Sequence, residues 1–242
     1  MREFIRYGLL LACVLPIACQ SAPPVPDYEK FYAERPFTVV VPPVRNQTAD
    51  AEAPRFFLST ITKPLVDRGY YVLPVEATAD ILAAEGLADG GALDGVSPAR
   101  FEEYLGADAV LFITLLSWDT TYAVLVSQVT VSMHYKLVST RTGAVLWETS
   151  HQEVLQSNSG GGGGGLGGLI AAAINAAVTA AATDYVPMAM QANLNACATL
   201  PAGPYSPRFD AEKKRHLDRA RRAREAEAKK KKAQAAESSP EK

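Results

Sequence analysis

Three consecutive apolar-rich runs between Ala109 and Val154 constrain this chain more than any other stretch. Ala109–Leu116 is an almost unbroken series of β-formers, which predicts a strand buried on both faces. The next run alternates. Leu125, Val129, Val131, Met133, Tyr135 and Leu137 share one parity, and Gln128, Thr130, Ser132, His134 and Lys136 share the other. Successive strand side chains point to opposite faces, so this strand is expected to be half-buried and antiparallel to a neighbour. Ser139–Gly143 supplies a short turn, and Val145 and Trp147 open a return strand. The stretch reads as a β-meander that the flanking sequence has to cover.

Upstream, Phe37–Val41 reads as a short strand closed by Pro42-Pro43. Phe57, Leu58, Ile61, Leu65 and Val66 recur at helical spacing, which predicts a helix over Pro54–Asp67, kinked at Pro64 and ended by Gly69. Tyr70–Val75 reads as the next strand. Thr78 is expected to cap a helix through Glu85, and Ser97-Pro98 to open one that Gly106 closes. Asp89-Gly90 and Asp94-Gly95 lack the spacing of a calcium-binding EF-hand loop and read as a surface turn. The order β-α-β-α-α-β-β-β predicts an α/β fold with a mixed sheet: parallel N-terminal strands, an antiparallel C-terminal meander, and helices covering both.

The start of the chain reads as a targeting signal. Arg2 and Arg6 precede Tyr7–Ile17, an apolar run of 11 residues. That is shorter than the roughly 20 residues a membrane span needs. Ala18-Cys19 follows, resembling the lipobox of bacterial lipoproteins, with Cys19 as the acylated residue. Cys13, preceded by Leu10-Leu11-Ala12, is the alternative; it fits the motif better but leaves a shorter apolar region. Gln20 stands where enterobacterial sorting would place Asp for inner-membrane retention, which favours the outer membrane. On this reading residues 1–18 are a signal peptide and 19–36 a proline-rich extended tether. Residues 37–207 form the domain, including a Gly-rich linker at 160–168 and Ala-rich helices over 169–198. Residues 208–242 are a basic tail, helical or disordered.

Charge supports that division. The net charge of −2 hides an asymmetry: from Arg208 to Lys242 there are 13 Lys/Arg against 7 Asp/Glu, leaving −8 on the preceding residues. An acidic body argues against nucleic acid as a partner. The tail from Ala211 to Ala236 has only Leu217 as a sizeable apolar residue, so a solvated segment, partly helical or disordered, is expected, with Lys229–Lys232 facing solvent, anionic lipid headgroups or another acidic envelope polymer. With Cys13 in the signal and Cys19 acylated, Cys197 has no intrachain partner and reads as a small buried residue.

Sites of chemistry are not apparent. A phosphate loop would need Lys-Ser/Thr after the glycines of Gly160–Gly165, and Leu166 follows instead. Leu169–Thr183 is uncharged, but it is Ala-rich and interrupted by Asn175, so a helix packed on the sheet is favoured over a membrane span. His134, His151 and His216 are scattered and read as surface residues. No catalytic residue, metal or cofactor is assigned, and no enzyme is expected. The aromatics Tyr70, Tyr71, Trp118, Tyr122 and Trp147, with Asp119, lie near strand ends and read either as interface anchors or as the rim of the core.

Four segments in order carry a family resemblance: VVVPPVRNQT (Val39–Thr48), FLSTITKPLVDRGYYVLPV (Phe57–Val75), GADAVLFITLLSWD (Gly106–Asp119) and TGAVLWE (Thr142–Glu148). Over about Cys19 to Pro207 the chain resembles the family of bacterial lipoproteins of unknown function typified by a genome-derived neisserial surface antigen. The resemblance implies a fold like the N-terminal α/β domain of the translocation protein TolB. It also implies an accessory role in envelope transport or assembly beside other lipoproteins, a CsgG-like one among them. No catalytic residue comes with it, and the basic tail departs from the family pattern. The reading is a homo-oligomeric lipoprotein anchored in the outer membrane and facing the periplasm, or alternatively the cell surface. The alternative function is a secretion-channel component that inserts its Gly/Ala-rich segment into that membrane.

Overall fold

The structure is a computed structural model that describes residues 28–122, 127–156 and 185–237. The expectations for Cys13, Cys19, Leu125, the Gly-rich run and the helix over Leu169–Thr183 fall outside those residues. At the centre lies a mixed sheet of β1 (Thr38–Val40), β2 (Arg45–Asn46), β3 (Tyr71–Val72), β4 (Ala109–Tyr122), β5 (Ser127–Ser139) and β6 (Val145–Gln156). The strand order is β3-β1-β4-β5-β6, with β2 pairing on β4. β1 runs parallel to β3 and β4, because helices intervene between them in sequence, and β4, β5 and β6 form the antiparallel meander. The α/β class and the mixed sheet are as expected.

The alternation along β5 becomes burial. Val129, Val131, Met133, Tyr135 and Leu137 are all buried, while the opposite parity stays half-exposed. The helices α1 (Glu29–Glu34), α2 (Ala53–Thr60), α3 (Thr62–Asp67), α6 (Val186–Cys197) and the start of α7 (Phe209–Glu237) contribute to the main core on that face. A smaller apolar cluster joins α4 (Val75–Ala84), the 3₁₀ turn Gly90–Leu93 and α5 (Ala99–Leu105) to the other face at β1 and the start of β4. That second layer is narrow. β4 is therefore buried on both faces only at Ala109–Leu111, and Leu116 further along is exposed.

Several local expectations are corrected. The tether is not extended throughout: Glu29–Glu34 is helical and buries Phe31 and Tyr32. Two adjacent aromatics offer enough apolar area to fold that segment onto the body. The helix over Pro54–Asp67 breaks at Ile61, one turn before Pro64. Proline lacks the N–H that would reach the carbonyl of residue 60 and its ring crowds that carbonyl, so the break falls there. The strand after Gly69 is only two residues long, because helix α4 begins at Val75. Thr78 is consequently a buried residue inside α4 whose N–H donates to Pro74 O at 2.9 Å, and the cap position falls to Pro74. Ser97 makes no side-chain cap; Pro98 directly precedes α5. Gly106 closes α5 at φ +66°, as expected. The tail is not wholly solvated, since Phe209 is buried and α7 packs along α1.

Candidate functional site

The richest polar and aromatic junction in the described residues lies where the chain enters the domain. Tyr28, the first described residue, donates its backbone N–H to His216 Nε2 at 3.2 Å, and the two rings lie 5.2 Å apart. Tyr32, one helical turn on, packs against the same imidazole at 5.5 Å and against Phe209 at 5.8 Å. His216 is therefore a packing residue rather than the plain surface histidine expected. Arg35 ends α1 with a positive φ and sets its guanidinium over the Phe209 ring. Beyond His216, Arg224 bonds Glu29 at 2.6 Å.

The sequence of contacts Arg35–Phe209, Tyr32–Phe209, Tyr32–His216, Tyr28–His216 and Glu29–Arg224 shows that α7 runs antiparallel to α1. Beneath them, Glu212 accepts from Arg68 at 3.2 Å and from the Ala202 N–H at 2.9 Å, and Arg68 also donates to Leu200 O. Arg68 and Glu212 are only 16% and 19% exposed, so this pair is a structural clasp on the start of α7. Burial raises the Tyr28 and Tyr32 hydroxyls above their ordinary range, with Glu212 adding to the effect at Tyr32.

Beside this junction lies a cavity of about 340 Å³ lined by Tyr28, Val145, Trp147, Glu148, Thr149 and Thr199. Its wall is β6, the last strand of the sheet; among the described residues no strand pairs with its outer edge. Trp147 is buried, and its indole N–H has no hydrogen-bond partner among the described residues. A second groove of about 630 Å³ separates α4 from α5, with Ile81, Leu87, Phe101 and Tyr104 on its walls.

The aromatic residues singled out from sequence divide rather than cluster. Tyr70 is buried, with its hydroxyl donating to Pro201 O at 2.7 Å, and burial holds that hydroxyl well above its ordinary range. Trp118 is buried against Phe57 and Tyr185. Trp147 packs on Tyr135 within the core. These three pack within the chain's own interior, so of the two readings left open the core describes them. Tyr71 and Asp119 are exposed, Tyr71 stacking on Phe37 at 6.3 Å; the Tyr122 side chain lies outside the described residues. Neighbours in extended chain point to opposite faces, so Tyr70 and Tyr71 divide between core and surface.

Among the described residues His134 and His151 form isolated pairs with carboxylates. His134 and Glu148 meet at 2.9 Å across β5 and β6, and His151 meets Glu153 at 2.8 Å. Among the described residues no group of three His, Cys, Asp or Glu is placed to hold a metal. No helix of the described residues is long and apolar enough to cross a membrane. Cys197 is buried in α6, and burial pushes its thiol up to about 12, as suits an inert core residue.

Comparison with known families sets this mixed α/β body among putative bacterial lipoproteins. The family model described as "Putative lipoprotein GNA1162-like" matches residues 26–203, and the chain belongs to that family. A relative from Neisseria meningitidis serogroup B, described as "Putative lipoprotein NMB1124/NMB1162", is 34% identical over 142 residues, covering 58% of this chain and 66% of its own length. The chain thus spans a little under two thirds of that relative. The crystal structure of lipoprotein GNA1162 from Neisseria meningitidis is similar at 30% identity with a TM-score of 0.49, covering 59% of this chain and 96% of that one. A PelC dodecamer from Paraburkholderia phytofirmans is similar at 17% identity and a TM-score of 0.40, covering 67% of this chain and 86% of that one. The family description names no enzymatic activity.

Proposed function

We propose that this chain is an outer-membrane lipoprotein, acylated at Cys19 with palmitate among its acyl chains, and that its body stands in the periplasm. There it acts as a non-enzymatic accessory in an envelope transport or assembly complex, as a homodimer and beside other lipoproteins, a CsgG-like one included. Family membership over residues 26–203 supports the lipoprotein class. The observation that carries the reading is spatial: Tyr28, packed on His216, lies nine residues after Cys19, so about 30 Å of chain at most separates it from the acyl group. A body held that close to a bilayer meets other membrane-bound proteins at high effective concentration.

The outer edge of β6 supports the partnering half of the reading. It is a 12-residue strand, and Val145 and Val154 near its two ends are about half-exposed. Unpaired strand edges of this length recruit further strands. The test is Cys19→Ala in cells: loss of radiolabelled-palmitate incorporation and release from the membrane fraction are expected. Continued labelling and membrane fractionation would overturn the anchor at this residue.

A further inference from the structure

From Arg221 to Lys229 every residue of α7 is exposed. Its first two turns are fastened by Phe209, Glu212 and His216, and its last contact with the domain among those above is Arg224 on Glu29. Helix α7 runs on to Glu237, 13 residues further, which is about 20 Å of helix. The direction is set by the antiparallel packing on α1: α7 passes Tyr28 and continues toward the side from which the chain arrives. Arg219–Lys232 holds eight Lys/Arg against Glu225 and Glu227, a balance of +6, within a chain whose net charge is −2. A stretch with no apolar face has no reason to be helical against a core of its own. Arg221 pairs with Asp218 at 3.5 Å and Arg224 with Glu29 at 2.6 Å.

We propose that the projecting half of α7, Arg219–Lys232, is a second membrane contact that rests on the anionic phospholipid headgroups beside the lipid anchor. This rests on the reading that the chain is acylated at Cys19. The tether of nine residues reaches about 30 Å at most, and Lys229 lies about 8 Å along the helix beyond Arg224. The basic segment therefore stays within the reach of the anchor. Opposite charge selects the occupant: each cation near an anionic surface raises partitioning by about fivefold, and the effect decays within a Debye length of about 10 Å. Fastening α7 to α1 also fixes how the body stands on the membrane, with the start of β6 beside the junction at Tyr28.

The test uses the chain from Gln20 to Lys242, which keeps every residue of both apolar clusters and the whole of α7. Co-sedimentation is measured with vesicles of phosphatidylcholine alone and with about one-third phosphatidylglycerol, at low salt and at about 0.5 M salt. Binding to the anionic vesicles only, abolished by salt, is expected. The variant Arg219→Gln/Arg221→Gln/Arg222→Gln/Lys229→Gln alters exposed side chains and should keep the thermal unfolding midpoint while lowering vesicle binding at least about tenfold. Equal binding to both vesicle types, or binding unchanged in the variant, overturns the proposal. So does tighter binding to a soluble acidic polysaccharide than to the anionic vesicles. This chain carries no acyl group, so its result is separate from the Cys19→Ala labelling; either reading can fail while the other is judged on its own assay.

Discussion

Tyr135, at the centre of β5, donates its hydroxyl to Asn193 Oδ1 of α6 at 2.6 Å, and both residues are buried. The Asn193 amide in turn donates to Phe57 O at 3.0 Å and to Thr60 Oγ1 at 2.8 Å. Thr60 Oγ1 donates to Phe56 O at 2.7 Å, at the break between α2 and α3. One asparagine thus ties the sheet, α6 and the end of α2 with every polar atom satisfied. Such a network fixes the register of α6 on the sheet more firmly than its alanines could, because a shifted helix would strand buried polar groups.

Asn193→Ala should therefore destabilise by about 2–4 kcal/mol, since it leaves the Tyr135 hydroxyl, Phe57 O and Thr60 Oγ1 short of partners. Tyr135→Phe should cost about 1–2 kcal/mol, leaving only Asn193 Oδ1 unpaired. In urea unfolding the double variant should cost clearly less than the sum of the singles. Strict additivity would mean the bond does not couple the two elements.

Gly69 and Gly106 both hold positive φ, at +92° and +66°, yet they should respond differently to alanine. A methyl at Gly69 would meet Ser206 Cβ at 2.7 Å, where the segment after Pro201 folds back and Gly203 N–H reaches Arg68 O at 2.8 Å. A methyl at Gly106 meets open space. Gly106→Ala should cost about 1 kcal/mol, the backbone term alone. Gly69→Ala should cost at least about 2 kcal/mol more, as overpacking is added to strain. Equal losses in thermal unfolding would refute the close packing at Ser206.

How far the sequence foretold this arrangement depends on the range of the interaction. The alternation from Val129 to Leu137 is a property of neighbours two apart, so the meander was legible in it. Gly106 was legible for the same reason. Phe209 was not: it follows a proline-rich stretch and precedes a charged run, and its partners Tyr32 and Arg35 are far back in the chain. Nor was the His216 contact with Tyr28, made across 188 residues. Asn193 looks from sequence like a polar interruption of an Ala-rich helix, and only the positions of Tyr135 and Thr60 give it a role. For Tyr70 and Trp118 the sequence left interface anchor and core rim open, because aromatics at strand ends serve both; burial alone separates the two. Cys13, Cys19 and the Gly/Ala-rich stretch lie outside the described residues, and their reading stays a matter of sequence.

Cys197 makes a pH-dependent prediction. Burial raises its thiol from an ordinary 9.0 to about 12, with Arg68 acting weakly the other way. The folded state keeps the proton where the unfolded state has lost it, so stability is full below about pH 9 and falls as pH climbs toward 12. The slope from this group approaches about 1.4 kcal/mol per pH unit within that window. Tyr70 and Tyr135, also raised by burial, steepen the same alkaline loss. Chemical unfolding of the wild type should show flat stability to about pH 9 and a decline above it, and Cys197→Ala should decline less steeply. A wild-type thiol that alkylates rapidly in the native state near pH 8 would contradict its burial.

The start of α7 belongs to the domain, which a pair of truncations separates from the projecting half. Ending the chain after Pro207 removes Phe209 from its place between Tyr32 and Arg35 and takes Glu212 from Arg68 and the Ala202 N–H. Loss of one buried phenylalanine alone is worth about 3–5 kcal/mol, and the Arg68 guanidinium, 16% exposed, would lose its carboxylate as well. A chain ending after Ala228 keeps all of those contacts, and Arg224 on Glu29, and gives up only helix that packs on nothing named above. Its stability should match the full chain to within about 0.5 kcal/mol. Melting followed by circular dichroism should therefore show a Tm far lower for the first truncation and unchanged for the second. If both truncations melt like the full chain, the domain ends at Pro207 and the contacts of Phe209, Glu212 and His216 hold only α7 itself in place.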